Sequence, residues 1–252
     1  MPQPSASDRR QSVRAGVVWD GVRRVLEGDD GSGRQARIVD IGGGTGGFAV
    51  PLAELGHTVQ VIDPSPDALA SLDRRARERG VADRVTGQQG DLSSLLDIAA
   101  PGSADVVLCH GVLEVVEDPA AALATIADVL RPGGTLSLLV AQRHAAVLAK
   151  AMAGHFQQAR AMLEPGDDVP AGRGQNRGGR RFTAEEITTL LTSAGFEVTA
   201  VHGIRVFADL VPGALLDAEP RAAQALVELE QAVAERSEYL PLATQVHVLA
   251  QR

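Results

Sequence analysis

Residues 36–47 read ARIVDIGGGTGG, a short apolar run closed by a carboxylate at Asp40 and followed by five glycines in six positions. An apolar run that ends in a glycine-rich turn marks a strand handing the chain to a helix, at a point where backbone can approach a ligand with no side chain in the way. The turn satisfies Gly-x-Gly-x-x-Gly through Gly42, Gly44 and Gly47, and equally Asp-x-Gly-x-Gly-x-Gly from Asp40. The first pattern suits a dinucleotide and the second S-adenosylmethionine, while a third reading makes the glycines no more than a tight turn.

Downstream the pattern repeats. TVQVID (58–63), RVTGQ (84–88), ADVVLCH (104–110) and TLSLLV (135–140) read as further strands. Between them lie helical patterns from about Pro66 to Arg79, Leu92 to Ile98 and Pro119 to Leu130, with Arg131-Pro132-Gly133-Gly134 as the turn before the fifth strand. Strands that alternate with helices predict βαβ units on a parallel sheet, whose ligands bind outside the carboxyl ends of the strands. Upstream, residues 1–7 read as disordered, Asp8 to Glu27 carries Val18, Val22, Val25 and Leu26 at helical spacing, and Gly28 to Gly33 is all turn formers. Beyond Val140 come a helical stretch from His144 to Leu163, a Gly/Arg-rich loop to Arg181, and a helix opened by Thr183 with Glu186 three residues on, ending at Gly195. A strand at Glu197 to His202, helices at Phe207 to Leu216 and Arg221 to Arg236, and the strand QVHVLA (245–250) finish the chain. The expectation is a doubly wound, mostly parallel seven-stranded α/β domain over 34–252, with helical insertions near 144–182 and 206–242, preceded by a helix and linker at 1–33.

Four residues near the strand ends carry the chemistry. A pyrophosphate brings negative charge to the glycine turn, where Asp40 would repel it, whereas the ammonium and sulfonium of S-adenosylmethionine suit a carboxylate; Asp40 therefore favours the second cofactor. Asp63 ends the second strand 21 residues after Gly42, where a carboxylate can accept from both hydroxyls of a ribose or can cap the next turn. Asp91, after Gly90, is placed for an adenine amino group or as an N-cap. His110 ends the fourth strand and is read as a pocket contact or as a core histidine; Cys109 alternates with Val107 and reads as packing.

Composition limits the alternatives. At 44% hydrophobic and 22% charged residues the chain can bury a core. One cysteine makes no intramolecular disulfide, the amino terminus lacks a signal-peptide core, and no apolar run reaches the roughly 18 to 20 residues of a membrane span, so the expected setting is cytoplasmic with no membrane contact. No Cys/His cluster has metal-ligand spacing, so no metal is expected. A net charge of −8 opposes general attraction to nucleic acid, yet Arg173, Arg177, Arg180 and Arg181 form a local basic run, read either as a solvated loop or as an RNA contact. Nothing in the sequence sets the oligomeric state.

Taken together, DIGGGTGG (40–47), the acid at 63, QQGDL (88–92), CHGVLEVVEDP (109–119) and LRPGG (130–134) make the chain resemble the class I S-adenosylmethionine-dependent methyltransferases, with their Rossmann-like fold, over about 34–140. RAGVVW (14–19), MAGHF (152–156), GIRVF (203–207), LVELEQ (226–231) and YLPL (239–242) extend a likeness to the bacterial tRNA 5-carboxymethoxyuridine methyltransferases, which esterify the carboxylate of a modified wobble uridine. The resemblance implies S-adenosyl-L-methionine as cofactor, with Arg14, Gly42, Gly43, Asp63, Gly90, Asp91 and His110 around it, and the reading of the glycine turn adds Asp40 and Gly44. The expected methyl acceptor is a carboxylate or hydroxyl on a modified tRNA wobble uridine, met through the Arg173–Arg181 loop. The family's longer basic and aromatic leader has no counterpart in PQPSASDRRQS (2–12). Arg205 is the expected clamp for an anionic acceptor, against a surface ion pair as its plain reading, and His144 is expected to line the acceptor side. A small-molecule methyltransferase, a nicotinamide dehydrogenase and a cofactor-binding module without catalysis remain open.

Overall fold

The computed structural model describes residues 6–27, 34–163, 179–218 and 221–252, with side chains from residue 16 onward other than 213, 217 and 218. In chain order the elements begin with α1 (Ala6–Glu27), β1 (Arg37–Ile41), α2 (Ala49–Glu54), β2 (Thr58–Asp63), α3 (Pro66–Glu78) and β3 (Val85–Gln89). They continue with α4 (Leu95–Ile98), β4 (Ala104–His110), α5 (Pro119–Val129), β5 (Leu130–Ala141), α6 (Arg143–Met152), α7 (Phe156–Ala161) and α8 (Ala184–Ser193). Last come β6 (Glu197–Ile204), α9 (Gly213–Ala218), α10 (Ala222–Val233) and β7 (Gln245–Gln251). The seven strands form one sheet in the order β3-β2-β1-β4-β5-β7-β6. β1 pairs in parallel with β2 and β4, β2 with β3, and β4 with β5. The order reverses between β1 and β4, and a reversal of this kind opens a crevice at the carboxyl ends of the two strands concerned.

By contact density the chain divides into two units, and each is built on its own packing. Residues 24–139 with 188–199 and 248–252 form one. Its central strands β1, β2 and β4 are buried on both faces, as strands flanked by helices on either side must be, while the edge strand β3 is largely exposed: Ile38, Val39, Ile41, Val61, Ile62, Val107 and Leu108 are all nearly inaccessible. Ser65 caps α3 by accepting the Ala68 N–H at 3.3 Å, and Asp118 caps α5 by accepting the N–H groups of Ala120 and Ala121 at 2.9 and 3.1 Å. The expected turn at Arg131–Gly134 lies inside β5 as a wide bulge, with Ala104 opposite Leu130 and Val106 already opposite Thr135. Asp105 holds it there, its carboxylate taking the Arg131 Nε–H at 2.5 Å and the Arg37 N–H at 2.8 Å.

The other unit is 1–23 with 140–187 and 200–247. Here the expected helix over His144–Leu163 is two helices, because Gly154 takes φ +77 and lets the chain turn between α6 and α7. The Thr183 capping box forms, with Thr183 Oγ1 accepting the Glu186 N–H at 3.1 Å and Glu186 Oε2 accepting the Thr183 N–H at 2.8 Å. Arg143 is buried and donates to Glu186 Oε1 at 2.7 Å and to the Arg181 carbonyl at 3.0 Å. Two further expectations need correcting. The helix read over Phe207–Leu216 exists only from Gly213, and Ala6 and Ser7 are helical; a 3-10 turn at Ser237–Leu242 follows α10. The linker at 28–33 lies outside the described residues.

Residues 205–208 form a turn instead of a helix because Glu230, 1% exposed on α10, captures their backbone. Its carboxylate accepts the N–H groups of Val206, Phe207 and Ala208 at 2.8, 2.9 and 2.7 Å. Arg205, just before, is the one non-glycine residue at positive φ (59°) among those described. Glu230→Ala would leave three amides of a packed turn without their acceptor, so a destabilisation of about 3 kcal/mol or more is expected, since bonds to a charged acceptor contribute roughly 1.5–3 kcal/mol each. Glu230→Gln, which keeps one oxygen in place, should lose less; urea unfolding of the two variants checks the order.

Candidate functional site

The carboxyl ends of β1, β2 and β4 and the segment after β3 enclose a cavity of about 650 Å3. Ile41 and Gly42 contribute from β1 and its turn, Asp63 from β2, Gly90 and Asp91 from the segment after β3, and His110 from β4. The chain beyond β4, Val112 to Asp118, supplies a wall that is apolar at Val112, Val115 and Val116. All of these residues belong to the first unit.

Asp63 is 8% exposed, and both of its oxygens are fixed: Oδ2 accepts the Gly44 N–H at 2.9 Å and Oδ1 the Ser65 N–H at 2.9 Å. Each oxygen retains a second lone pair, so the carboxylate can still accept from a ligand's hydroxyls. Asp91 caps the 3-10 turn at Leu92–Ser94, its Oδ1 taking the Ser93 N–H at 2.9 Å and the Ser93 hydroxyl at 2.5 Å. The hydroxyl and then the amide of Ser93 hold the Asp91 carboxyl below the usual range, so it is ionised while it lines the cavity. His110 bonds through Nε2 to Ser137 Oγ at 2.9 Å and packs edge-on against Phe48, with centroids 4.9 Å apart.

The glycine turn works differently from its sequence reading. Its amides do not all await a ligand: Gly42 N–H bonds to the Ile62 carbonyl at 2.7 Å and Gly44 N–H to Asp63. What the turn offers is missing side chains. A Cβ on Gly43 would overlap the Asp40 carboxylate, and one on Gly42 would overlap Val112. Asp40 is 3% exposed, packed beneath the turn at Gly43, and the cavity's lining does not include it. Burial, and secondarily the charge of Asp63, push its carboxyl up to about 7. The lining is negative without it, carrying Asp63, Asp91, Glu117 and Asp118 and no lysine or arginine among the described residues.

The remaining candidates are not among the residues that line this cavity. Arg205 and His144 belong to the second unit. Arg205 forms an ion pair with Asp209 through Nη2, its Nε is buried without a partner, and its side chain is 27% exposed. His144 is exposed in the first turn of α6. Arg14 lies on α1, but its side chain, like Arg173 and Arg177, is outside the described residues. Arg180 and Arg181 are half-buried at the described end of the basic run. Sequence reasoning missed Glu117, Asp118, Phe48 and Ser137; only Ser137 left a trace, as the polar residue inside the run TLSLLV.

A family model described as a methyltransferase domain matches residues 10–201. The tRNA 5-carboxymethoxyuridine methyltransferase of Escherichia coli K12 is 30% identical over 249 residues, covering 95% of this chain and 88% of that protein. A ubiquinone biosynthesis O-methyltransferase of Xanthomonas euvesicatoria is 37% identical over 121 residues, 47% of this chain and 48% of its own. Among solved structures, an S-adenosylmethionine-dependent methyltransferase from Mesorhizobium loti superposes with a TM-score of 0.61 at 22% identity, covering 95% of this chain and all of that one, which shows the shared fold.

The raised Asp40 sets a pH test that needs no ligand. A carboxyl whose folded pKa is raised is ionised at lower pH in the unfolded chain than in the fold, so stability is lost as pH rises from about 4 through 7. Asp40→Asn removes that loss. The unfolding free energy of the variant relative to wild type should therefore rise by about 4 kcal/mol between pH 3.5 and pH 8, because each pH unit separating the two ionisations contributes roughly 1.4 kcal/mol. A difference that stays flat with pH in chemical denaturation would contradict the buried placement.

Proposed function

The chain belongs to the S-adenosylmethionine-dependent methyltransferases, and within that family we propose that it methylates a carboxylate on a modified uridine at the tRNA wobble position. The observation that carries the cofactor half of this reading is the lining of four carboxylates with no lysine or arginine among the described residues. A pyrophosphate would enter that field against repulsion, whereas a sulfonium and an ammonium are drawn into it. The acceptor half is supported by a likeness that runs over 95% of this chain, to a relative named as a tRNA 5-carboxymethoxyuridine methyltransferase. The ubiquinone-pathway likeness, over 47% of the chain, supports a small-molecule acceptor as the second reading.

In this assignment Asp63 accepts from the ribose hydroxyls, the free oxygen of Asp91 faces the adenine amino group, and His110, Gly42, Gly43, Gly44 and Gly90 shape the remainder. Arg14 adds a contact, and Asp40 supports the glycine turn from beneath Gly43. When bound, S-adenosylmethionine supplies an electrophilic methyl group on a positively charged sulfur. A carboxylate acceptor is already ionised at neutral pH, so no residue has to remove a proton, and the protein's work is to hold, orient and keep the site dry. Arg205 grips the acceptor carboxylate through its planar guanidinium, exchanging the Asp209 partner for it, and His144 lines the acceptor side.

Purified protein, S-adenosylmethionine and tRNA from a strain deleted for this gene test the proposal, with mass spectrometry of the digested nucleosides. A methyl ester on a wobble uridine is the expected product; turnover of a small acid or quinol with none on tRNA would move the assignment to the second reading. Asp63→Ala should weaken S-adenosylhomocysteine binding by about 1.5–3 kcal/mol in calorimetric titration, through lost charge-assisted bonds. Arg205→Lys should keep that affinity and lose roughly ten- to hundredfold in turnover, because one ammonium cannot reproduce a two-point contact.

A further inference from the structure

From residue 129 to residue 163 the chain contains no aspartate or glutamate, although 32 of its 252 residues are acidic. The same stretch carries Arg131, Arg143, Lys150, Arg160, His144 and His155. Its last two elements, α6 and α7, pack on each other around an elbow at Ala153-Gly154-His155. Beside that elbow Phe156 is 70% exposed and Met152 66% exposed. The chain has five phenylalanines, and the other four are buried or half-buried. Arg160 is exposed one turn along α7 from Phe156, and side chains four residues apart share a helix face. No ion pair or side-chain hydrogen bond engages Lys150, His155 or Arg160 among the described residues.

An exposed aromatic ring among cations that no acid pairs among the described residues is the composition of a surface that takes single-stranded nucleic acid. Unpaired bases stack on the ring whatever their identity, and the cations meet the phosphates on either side. A protein partner fits less well, since the centre of a protein interface is depleted in lysine and would bury these charges. We propose that the α6–α7 elbow docks an unpaired RNA loop, with a base stacked on Phe156 and phosphates held by Lys150 and Arg160. This deepens the tRNA reading above and rests on it. It also assigns RNA contact to residues outside the Arg173–Arg181 run.

The test compares wild type, Phe156→Ala, Phe156→Tyr and the double variant Lys150→Gln/Arg160→Gln, using an anticodon stem-loop RNA in fluorescence anisotropy over a range of salt. Phe156→Ala should weaken RNA binding roughly ten- to hundredfold, and Phe156→Tyr, which keeps a stacking face, should bind as wild type does. The double variant should lower the slope of log affinity against log salt by about 0.7 to 0.9 for each phosphate contact removed. S-adenosylhomocysteine affinity and the thermal midpoint should be unchanged in all three, because the altered side chains are on the surface. If wild type binds and methylates RNA while the variants match it in affinity and salt slope, the elbow is not the docking surface and the tRNA assignment stands without it. If wild type neither binds nor methylates RNA, the tRNA assignment itself falls. Dissociation of a dimer by Phe156→Ala in sedimentation would make the patch a contact between copies and overturn the proposal.

Discussion

The cofactor end of the sheet depends on one packing constraint, the absence of a side chain at Gly43 above the carboxylate of Asp40. With any larger residue there, Asp40 could not lie where it does and the turn from β1 into α2 would have to lift. That turn in turn seats Asp63, whose oxygens tie Gly44 on one side to Ser65 on the other and so lock the ends of β1 and β2 together. A single small residue thereby bears on two parts of the cavity lining, the turn at Gly42 and the carboxylate of Asp63. The cost is an ionisable group held in a poor medium, visible in a carboxyl pushed up to about 7.

Charge is distributed along this chain in a way that its net value of −8 hides. The cavity at the strand ends collects four carboxylates and no fixed cation among the described residues, while 129–163 holds cations and no acid. A methyltransferase acting on RNA has to attract two ligands of opposite sign, a cofactor with a sulfonium and a polyanionic acceptor. Within 129–163 Arg131 and Arg143 are matched by Asp105 and Glu186, which leaves Lys150 and Arg160 as the unpaired lysine and arginine of that segment among the described residues, and a binding step that uses them weakens with salt.

Much of this is legible in the sequence, and the failures have physical causes. TVQVID and ADVVLCH are β2 and β4 residue for residue, because turn formers bound them on both sides and the apolar run leaves no other register. Asp63 and His110 fall at strand ends for the same reason. Asp40 reads as a rim residue and lies beneath the turn; β1 is buried on both faces, so alternation cannot say which way its side chain points. Gly154 breaks a helix that reads as continuous, since an isolated glycine is tolerated in a helical pattern and only its φ decides. Glu230 looks like one more acid of an amphipathic helix, and its three bonds reach 22 to 24 residues back along the chain, beyond any local signal. Glu117 and Asp118 enter the lining through tertiary folding alone.

Arg205 is where those non-local bonds bear on function. An i,i+4 ion pair with Asp209 requires no unusual backbone, yet Arg205 has φ 59°, a conformation that costs a non-glycine residue of order 1 kcal/mol or more and persists only when its surroundings over-determine it. Glu230 provides that determination by gripping the next three amides. The strain at Arg205 is thus tied to a packed turn in which Val206 and Ala208 are buried and Glu230 takes three successive amides. The Nε of Arg205 is buried without a partner, while Nη2 is held by Asp209. Asp209 holds the guanidinium through Nη2, so the acceptor-clamp role proposed for Arg205 requires a carboxylate to take that partner's place.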